Sequence, residues 1–350
     1  MSKPCEAKGL SRFLLPCCTH TKPYQNHFCM LRFIYIALVC CLCITASFAQ
    51  QTVTVKVPWK NAGSLYASPA ADSTSLFYTK LVPKSTPAGI LIILPGAFER
   101  VPDVIQQLPL PALAVQQNLL VVFPSLNQGI ATHTGEHAFL DTVLRQVLRQ
   151  HKVPAAQCII GGFSGGGTIA LSYTEKAYQQ PGQTAVVPKA VFAIDPPLDY
   201  AHLWDHAWKD VNRNFSEAAV NEGRWIMQLY TTAFGGPPQD FPQPYIRHSV
   251  YAHSENDGGN ARYLLHTPVR IYSEPAIVWQ MQNRHRDLYD LNCTDISAMI
   301  NLLQLHGNAD AEMIVTENKG IRPNGQRHPH SWSIMDPEEG MAWIIRQLKK

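Results

Sequence analysis

Apolar residues recur along the chain in two alternating rhythms. Gly89-Ile-Leu-Ile-Ile-Leu-Pro95 is apolar almost throughout, the pattern of a strand buried on both faces. Leu119–Pro124, Cys158–Gly161 and Lys189–Ile194 repeat it, and Pro268–Ser273 and Ala311–Thr316 read as two more strands. Near the start of this region, Val53–Pro58 alternates with period two, and Ser75–Val82 follows it as a strand. Between the strands the period changes. From Glu136 to Gln150, Phe139, Leu140, Val143, Leu144, Val147 and Leu148 fall at helical spacing, and helices are also predicted at about 166–177, 295–305 and 337–350. Strands alternating with helices predict an α/β fold: a mostly parallel central sheet covered by helices on both faces. Residues 200–266 break the rhythm. They are rich in Trp, His, Pro and Asn, and are expected to form an inserted cap or long loops over a site.

The first 49 residues follow neither rhythm. Arg32 precedes the apolar run 33–44, and Thr45-Ala-Ser-Phe-Ala49 places small residues Ser47 and Ala49 as at a signal-peptidase site. The run is shorter than the ~20 residues a spanning helix needs. The expectation is a signal peptide, a mature chain from Gln50 to Lys350, and a secreted or periplasmic location. The alternative is an anchor retained through residues 33–49. Met30 is a second candidate start, which would leave residues 1–29 untranslated.

Removing this segment changes the charge and cysteine counts. The whole chain carries a formal +3, but residues 1–49 hold five basic residues against Glu6, and the remainder is close to neutral. A near-neutral body has no electrostatic footprint for nucleic acid. Of nine cysteines only Cys158 and Cys293 lie beyond residue 49, too few for a disulfide scaffold. Beyond residue 49 no CxxC or HExxH spacing occurs, so no metal site is expected.

The candidate chemistry lies at Gly162-Phe-Ser164-Gly-Gly166, a G-x-S-x-G pattern directly after an apolar strand and directly before a helix. A serine on so sharp a turn sits in strained backbone, and flanking glycines are needed to make room. Its Oγ is then exposed at the carboxyl end of the sheet. The Gly165 N–H, at a helix start, points where an oxyanion would develop.

With these residues in place, the chain from about residue 75 onward resembles the α/β-hydrolase superfamily, in particular its secreted esterase-like members. The resemblance implies Ser164 as nucleophile. Leu94-Pro-Gly-Ala-Phe-Glu-Arg100 is similar to the oxyanion-loop segment L-H-G-A-G-E-R of such esterases, with Pro95 in place of the histidine and Phe98 in place of a glycine. By that resemblance Ala97 or Phe98 supplies the second oxyanion N–H beside Gly165. The base is expected after the last strand, where Arg327-His-Pro-His-Ser-Trp-Ser333 offers His328 and His330. His330 is preferred because His-x-Trp just before the final helix resembles related esterases.

The acid is the open position. It is expected in the loop after strand 268–273, where Glu274 is the one carboxylate and Ala276 stands in place of the usual aspartate. Asp287 and Asp290, or Asp195 and Asp199 after the preceding strand, are the alternatives; Asp295 reads as a helix N-cap. The expected activity is serine hydrolysis of a small-molecule ester through an acyl-enzyme, with no cofactor and no metal. A serine peptidase on the same scaffold, and a non-catalytic binding protein with a degenerate triad, are the competing readings.

Overall fold

The computed structural model describes residues 51–68, 72 and 74–350. The apolar run 33–44 and the cleavage signal at 47–49 lie outside the described residues.

Eight strands form one sheet in the order β1-β2-β4-β3-β5-β6-β7-β8. They are β1 (Gln51–Pro58), β2 (Ser75–Val82), β3 (Gly89–Leu94), β4 (Leu119–Pro124), β5 (Cys158–Phe163), β6 (Ala190–Ile194), β7 (Val269–Ser273) and β8 (Ala311–Val315). β1 pairs antiparallel with β2, and β2 antiparallel with β4; β3 to β8 run parallel.

The uninterrupted apolar runs are strands with two buried faces. In β3, Ile90, Ile92 and Leu94 enter one core while Leu91 and Ile93 enter the other. β6 splits likewise, Val191 and Ala193 against Phe192 and Ile194. Helices close both faces, as the alternating rhythm predicts: α1 (Val101–Gln107), α2 (Leu110–Gln116), α3 (Thr134–His151) and α4 (Gly165–Gln179) early in the chain, then α9 (Asn292–Leu305) and α10 (Pro337–Lys349). The short α1 and α2 were not legible in the sequence. Each is one or two turns long with proline at its start, so too few periodic positions exist to show a helix.

Between β6 and β7 stand α5 (Tyr200–Arg213), α6 (Glu217–Phe234) and α7 (Pro242–His248). Their aromatic residues pack on one another rather than facing solvent: Tyr200, Trp204, Tyr230, Phe234 and Tyr245 form a third core. Trp208 is the exception and is exposed. α8 (Ile277–Arg284) follows β7. Among the described residues no helix is long and apolar enough to cross a membrane. Cys158 and Cys293 are free buried thiols, both pushed up to about 12 by burial.

Candidate active site

The parallel strands deliver their carboxyl ends to one edge of the sheet, and the candidate residues follow those ends directly. Ser164 follows β5, Asp195 follows β6, and Glu274 follows β7, while the loop after β8 carries His328 and His330.

Ser164 links β5 to α4 with φ 51° and ψ −124°, a conformation that L-residues rarely occupy. Its N–H donates to Ile194 O at 2.8 Å, and Thr168 N–H donates back to Ser164 O at 3.1 Å, so strand and helix both hold the turn. The glycines around it are steric necessities. A Cβ on Gly166 would lie 2.3 Å from Pro95 O, and one on Gly162 2.5 Å from the Gly166 carbonyl carbon.

Hydrogen bonds separate the two candidate donors in the loop after β3. Phe98 N–H donates to Asn127 O at 2.8 Å and is therefore committed. No described residue accepts the Ala97 N–H, and Ala97 N lies 4.0 Å from where a Cβ on Gly165 would stand. Gly165 opens α4, where backbone N–H groups have no partner within the helix. Of the two expected loop donors, Ala97 faces Gly165, and Phe98 instead places an exposed ring edge-on to Trp225 of α6, with centroids 4.9 Å apart. Beneath the loop the partly buried Glu99 accepts from Gly96 N–H at 2.8 Å and Trp332 Nε1–H at 3.0 Å. Desolvation raises its pKa above the usual carboxylate value.

His330 and Asp195 are paired, with His330 Nδ1 2.7 Å from Asp195 Oδ2. The other Asp195 oxygen accepts from Ser273 Oγ at 2.9 Å, and its backbone carbonyl accepts from Asn292 Nδ2 at 2.9 Å. Two groups therefore hold the carboxylate and a third holds its backbone. The His330 ring lies 4.5 Å from that of Phe163, the residue before Ser164. Ser164, Gly165, Ala97, Asp195 and His330 line one cavity of about 150 Å3.

Glu274 touches this cavity, but its carboxylate is engaged elsewhere. It accepts from Lys319 N–H at 2.9 Å, Gly320 N–H at 3.0 Å and Thr316 Oγ at 3.3 Å, and it pairs with Arg327. The expectation that Glu274 orients His330 is thus corrected: the geometry gives that place to Asp195. Asp290 is taken by Lys209 and Arg213, Asp287 caps the turn at 288–290, and Asp199 caps α5. Asp295 is not an N-cap either; Leu291 holds that position, and the Asp295 carboxylate meets His202 and His253. His328 has both nitrogens occupied, by His330 O at 3.0 Å and Arg322 Nη2 at 3.1 Å. Because Arg322 can only donate, Nε2 accepts and the ring is neutral; burial pushes the His328 pKa down to about 3.

Basic groups on the cavity wall were not singled out in the sequence. Arg284, Arg286 and Arg322 all line it. Arg286 is balanced by Asp210 and Glu222, and Arg322 donates to His328. Arg284 Nη1 is buried with no hydrogen-bond partner among the described residues, and desolvation lowers the Arg284 pKa. Arg284, Arg286 and Arg322 sit in segments with no motif, and only the fold brings them to the cavity that Ser164 lines.

No protein-family model and no curated protein matches the chain. Solved structures do. An S-formylglutathione hydrolase from Agrobacterium tumefaciens superposes with a TM-score of 0.52 at 11% identity, over 87% of this chain and 98% of that one. An esterase from Rhizomucor miehei gives 0.52 at 14%, over 94% and 92%. An acylaminoacyl peptidase from Pyrococcus horikoshii gives 0.52 at 12%, over 88% of this chain but 42% of its own. The fold is that of the α/β-hydrolases.

Proposed function

We propose that the protein is a secreted serine hydrolase that cleaves small carboxylic esters through an acyl-enzyme on Ser164. The observation that carries this reading is the strained Ser164 turn, in one cavity with the His330–Asp195 pair and two backbone N–H groups free to receive an oxyanion. His330 takes the Ser164 proton as Oγ attacks the ester carbonyl. Asp195 holds the imidazole by Nδ1 and stabilises its charged form. The N–H groups of Gly165 and Ala97 stabilise the tetrahedral oxyanion, each worth about 3 kcal/mol. His330 then protonates the leaving alcohol, and water releases the acid by the same steps.

Labelling with a fluorophosphonate tests this directly. The probe is expected to modify Ser164, read by peptide mass mapping; a native, folded protein that takes up no probe and turns over no ester in a broad panel would refute it. Export is tested by the N-terminus of the secreted chain, expected at Gln50.

The cavity also supports a substrate class. A space of about 150 Å3 admits a group of about benzene size. Its wall holds Arg284, whose Nη1 has no hydrogen-bond partner among the described residues, so the preferred ester carries an anionic group, such as a dicarboxylic half-ester. A hydrogen bond to a charged group contributes about 1.5–3 kcal/mol. Arg284→Met is therefore expected to raise KM for an anionic ester roughly 10- to 100-fold, and to leave a neutral ester of equal size nearly unchanged. Equal losses on both esters would remove Arg284 from recognition.

A further inference from the structure

Away from the Ser164 cavity, three segments distant in sequence bring metal-ligating side chains together. His202 lies in the first turn of α5, His253 in the loop after α7, and Asp295 in the first turn of α9. Their ligand atoms all lie within 4.8 Å of one another. Asp295 Oδ1 is 2.6 Å from His202 Nδ1 and 2.9 Å from His253 Nε2. The carboxylate is buried, at 3% side-chain exposure, while His253 at 46% opens the cluster to solvent.

The hydrogen bonds around His202 impose a chemical requirement. Its Nε2 stands 2.7 Å from the Tyr289 carbonyl, which can only accept. Nε2 therefore carries a hydrogen, and in the neutral ring Nδ1 bears the lone pair. That lone pair faces a buried carboxylate oxygen at 2.6 Å. Two acceptors at this distance need a positive charge between them, either a proton or a metal ion. An imidazole whose far N–H is held by a backbone carbonyl is also how proteins orient a metal-ligating histidine. His253 is positioned too: its backbone N–H donates to Asp199 Oδ2 at 2.8 Å.

We propose that His202 Nδ1, His253 Nε2 and Asp295 form a binding site for a borderline divalent transition ion, zinc foremost, with a fourth position open to solvent. Two imidazoles and one carboxylate suit that ion rather than calcium or magnesium, which take oxygen ligands. Ligands around tetrahedral zinc stand roughly 3.3 Å apart, given bonds of about 2.0 Å, so the two histidine–carboxylate gaps widen by less than about 1 Å while the two imidazole nitrogens, within 4.8 Å of one another, draw together. Positions 202, 253 and 295 have no short spacing, so the local sequence carries no metal signature. The site is distinct from the Ser164 cavity, and it ties the helices between β6 and β7 to α9. Binding replaces any proton held at Nδ1, so affinity weakens as the pH falls.

Cobalt substitution tests the proposal on the full-length, untagged, chelator-treated protein. One equivalent of Co2+ is expected to give a visible d–d absorption without a thiolate charge-transfer band, and Zn2+ is expected to displace it while Ca2+ and Mg2+ do not. The absence of the thiolate band excludes the seven cysteines of residues 1–49 as ligands. His253→Gln, at a half-exposed position, is expected to fold normally and to weaken Co2+ binding at least 10-fold, as is His202→Gln; zinc is expected to raise the Tm of wild type but not of either variant. No saturable Co2+ signal, or an unchanged titration in both variants, overturns the site and leaves a proton between His202 and Asp295.

Discussion

Replacing Ser164 by alanine is expected to lower ester turnover by about 10^4-fold or more, with almost no change in Tm. The alanine keeps a Cβ in the same strained backbone, so the strain remains and only the nucleophile is lost. Glycine at this position separates the two effects. A residue held at φ 51° and ψ −124° costs on the order of 1–3 kcal/mol. Glycine relieves this and costs about 0.5–1 kcal/mol through the greater freedom of its unfolded chain. Ser164→Gly should therefore be as inactive as Ser164→Ala yet melt at a higher temperature. The measurements are steady-state kinetics and calorimetry on all three proteins. Full turnover in Ser164→Ala would remove Ser164 from the reaction, and equal melting of the two variants would limit the strain of the turn to the about 0.5–1 kcal/mol that glycine costs.

The second large effect separates Asp195 from Glu274. Asp195→Asn keeps the shape of the side chain but removes the charge that stabilises the imidazolium. A fall in kcat of about 10^4-fold is expected, with little change in KM. Glu274→Gln is expected to do the opposite. The Glu274 side chain is 1% exposed and paired with Arg327, at 26%. Breaking a buried pair costs about 3–5 kcal/mol, and the lower end applies because Arg327 can turn towards solvent. Glu274→Gln should therefore melt several degrees lower while its kcat, measured on folded protein, stays within about threefold of wild type. A large kcat loss in Glu274→Gln with none in Asp195→Asn would exchange the two roles.

The contrast between these carboxylates marks where sequence reasoning ends. The α/β architecture was legible because β3, β4 and β6 are apolar at nearly every position, which a sheet covered on both faces requires. Ser164 and His330 were legible as candidates because each sits in a local pattern: glycines packed about a turn, and His-x-Trp before the last helix. The partner of His330 has no such pattern. Both β6 and β7 end beside a carboxylate, and local sequence does not say which one points to the imidazole. The answer depends on Arg327, which pairs with Glu274, and on Ser273 and Asn292, which converge on Asp195. The same limit hid Arg284 and the group of His202, His253 and Asp295, whose members meet only after the chain has folded.

Glu99 has a consequence for anyone who would redesign this protein. Its one carboxylate grips Gly96 at the base of the oxyanion loop and Trp332, two residues beyond His330. The two loops are therefore a single part rather than two interchangeable ones. A chimera that imports a foreign loop between β3 and α1 without its glutamate leaves the Trp332 indole N–H unanswered in a buried place, and the histidine segment loses its anchor. Conversely, grafting a new segment around His330 without the tryptophan leaves a partly buried, desolvated carboxylate one partner short. Substrate scope is therefore better altered through the helices between β6 and β7, which meet the oxyanion loop at the exposed Phe98–Trp225 contact, than by exchanging either loop alone.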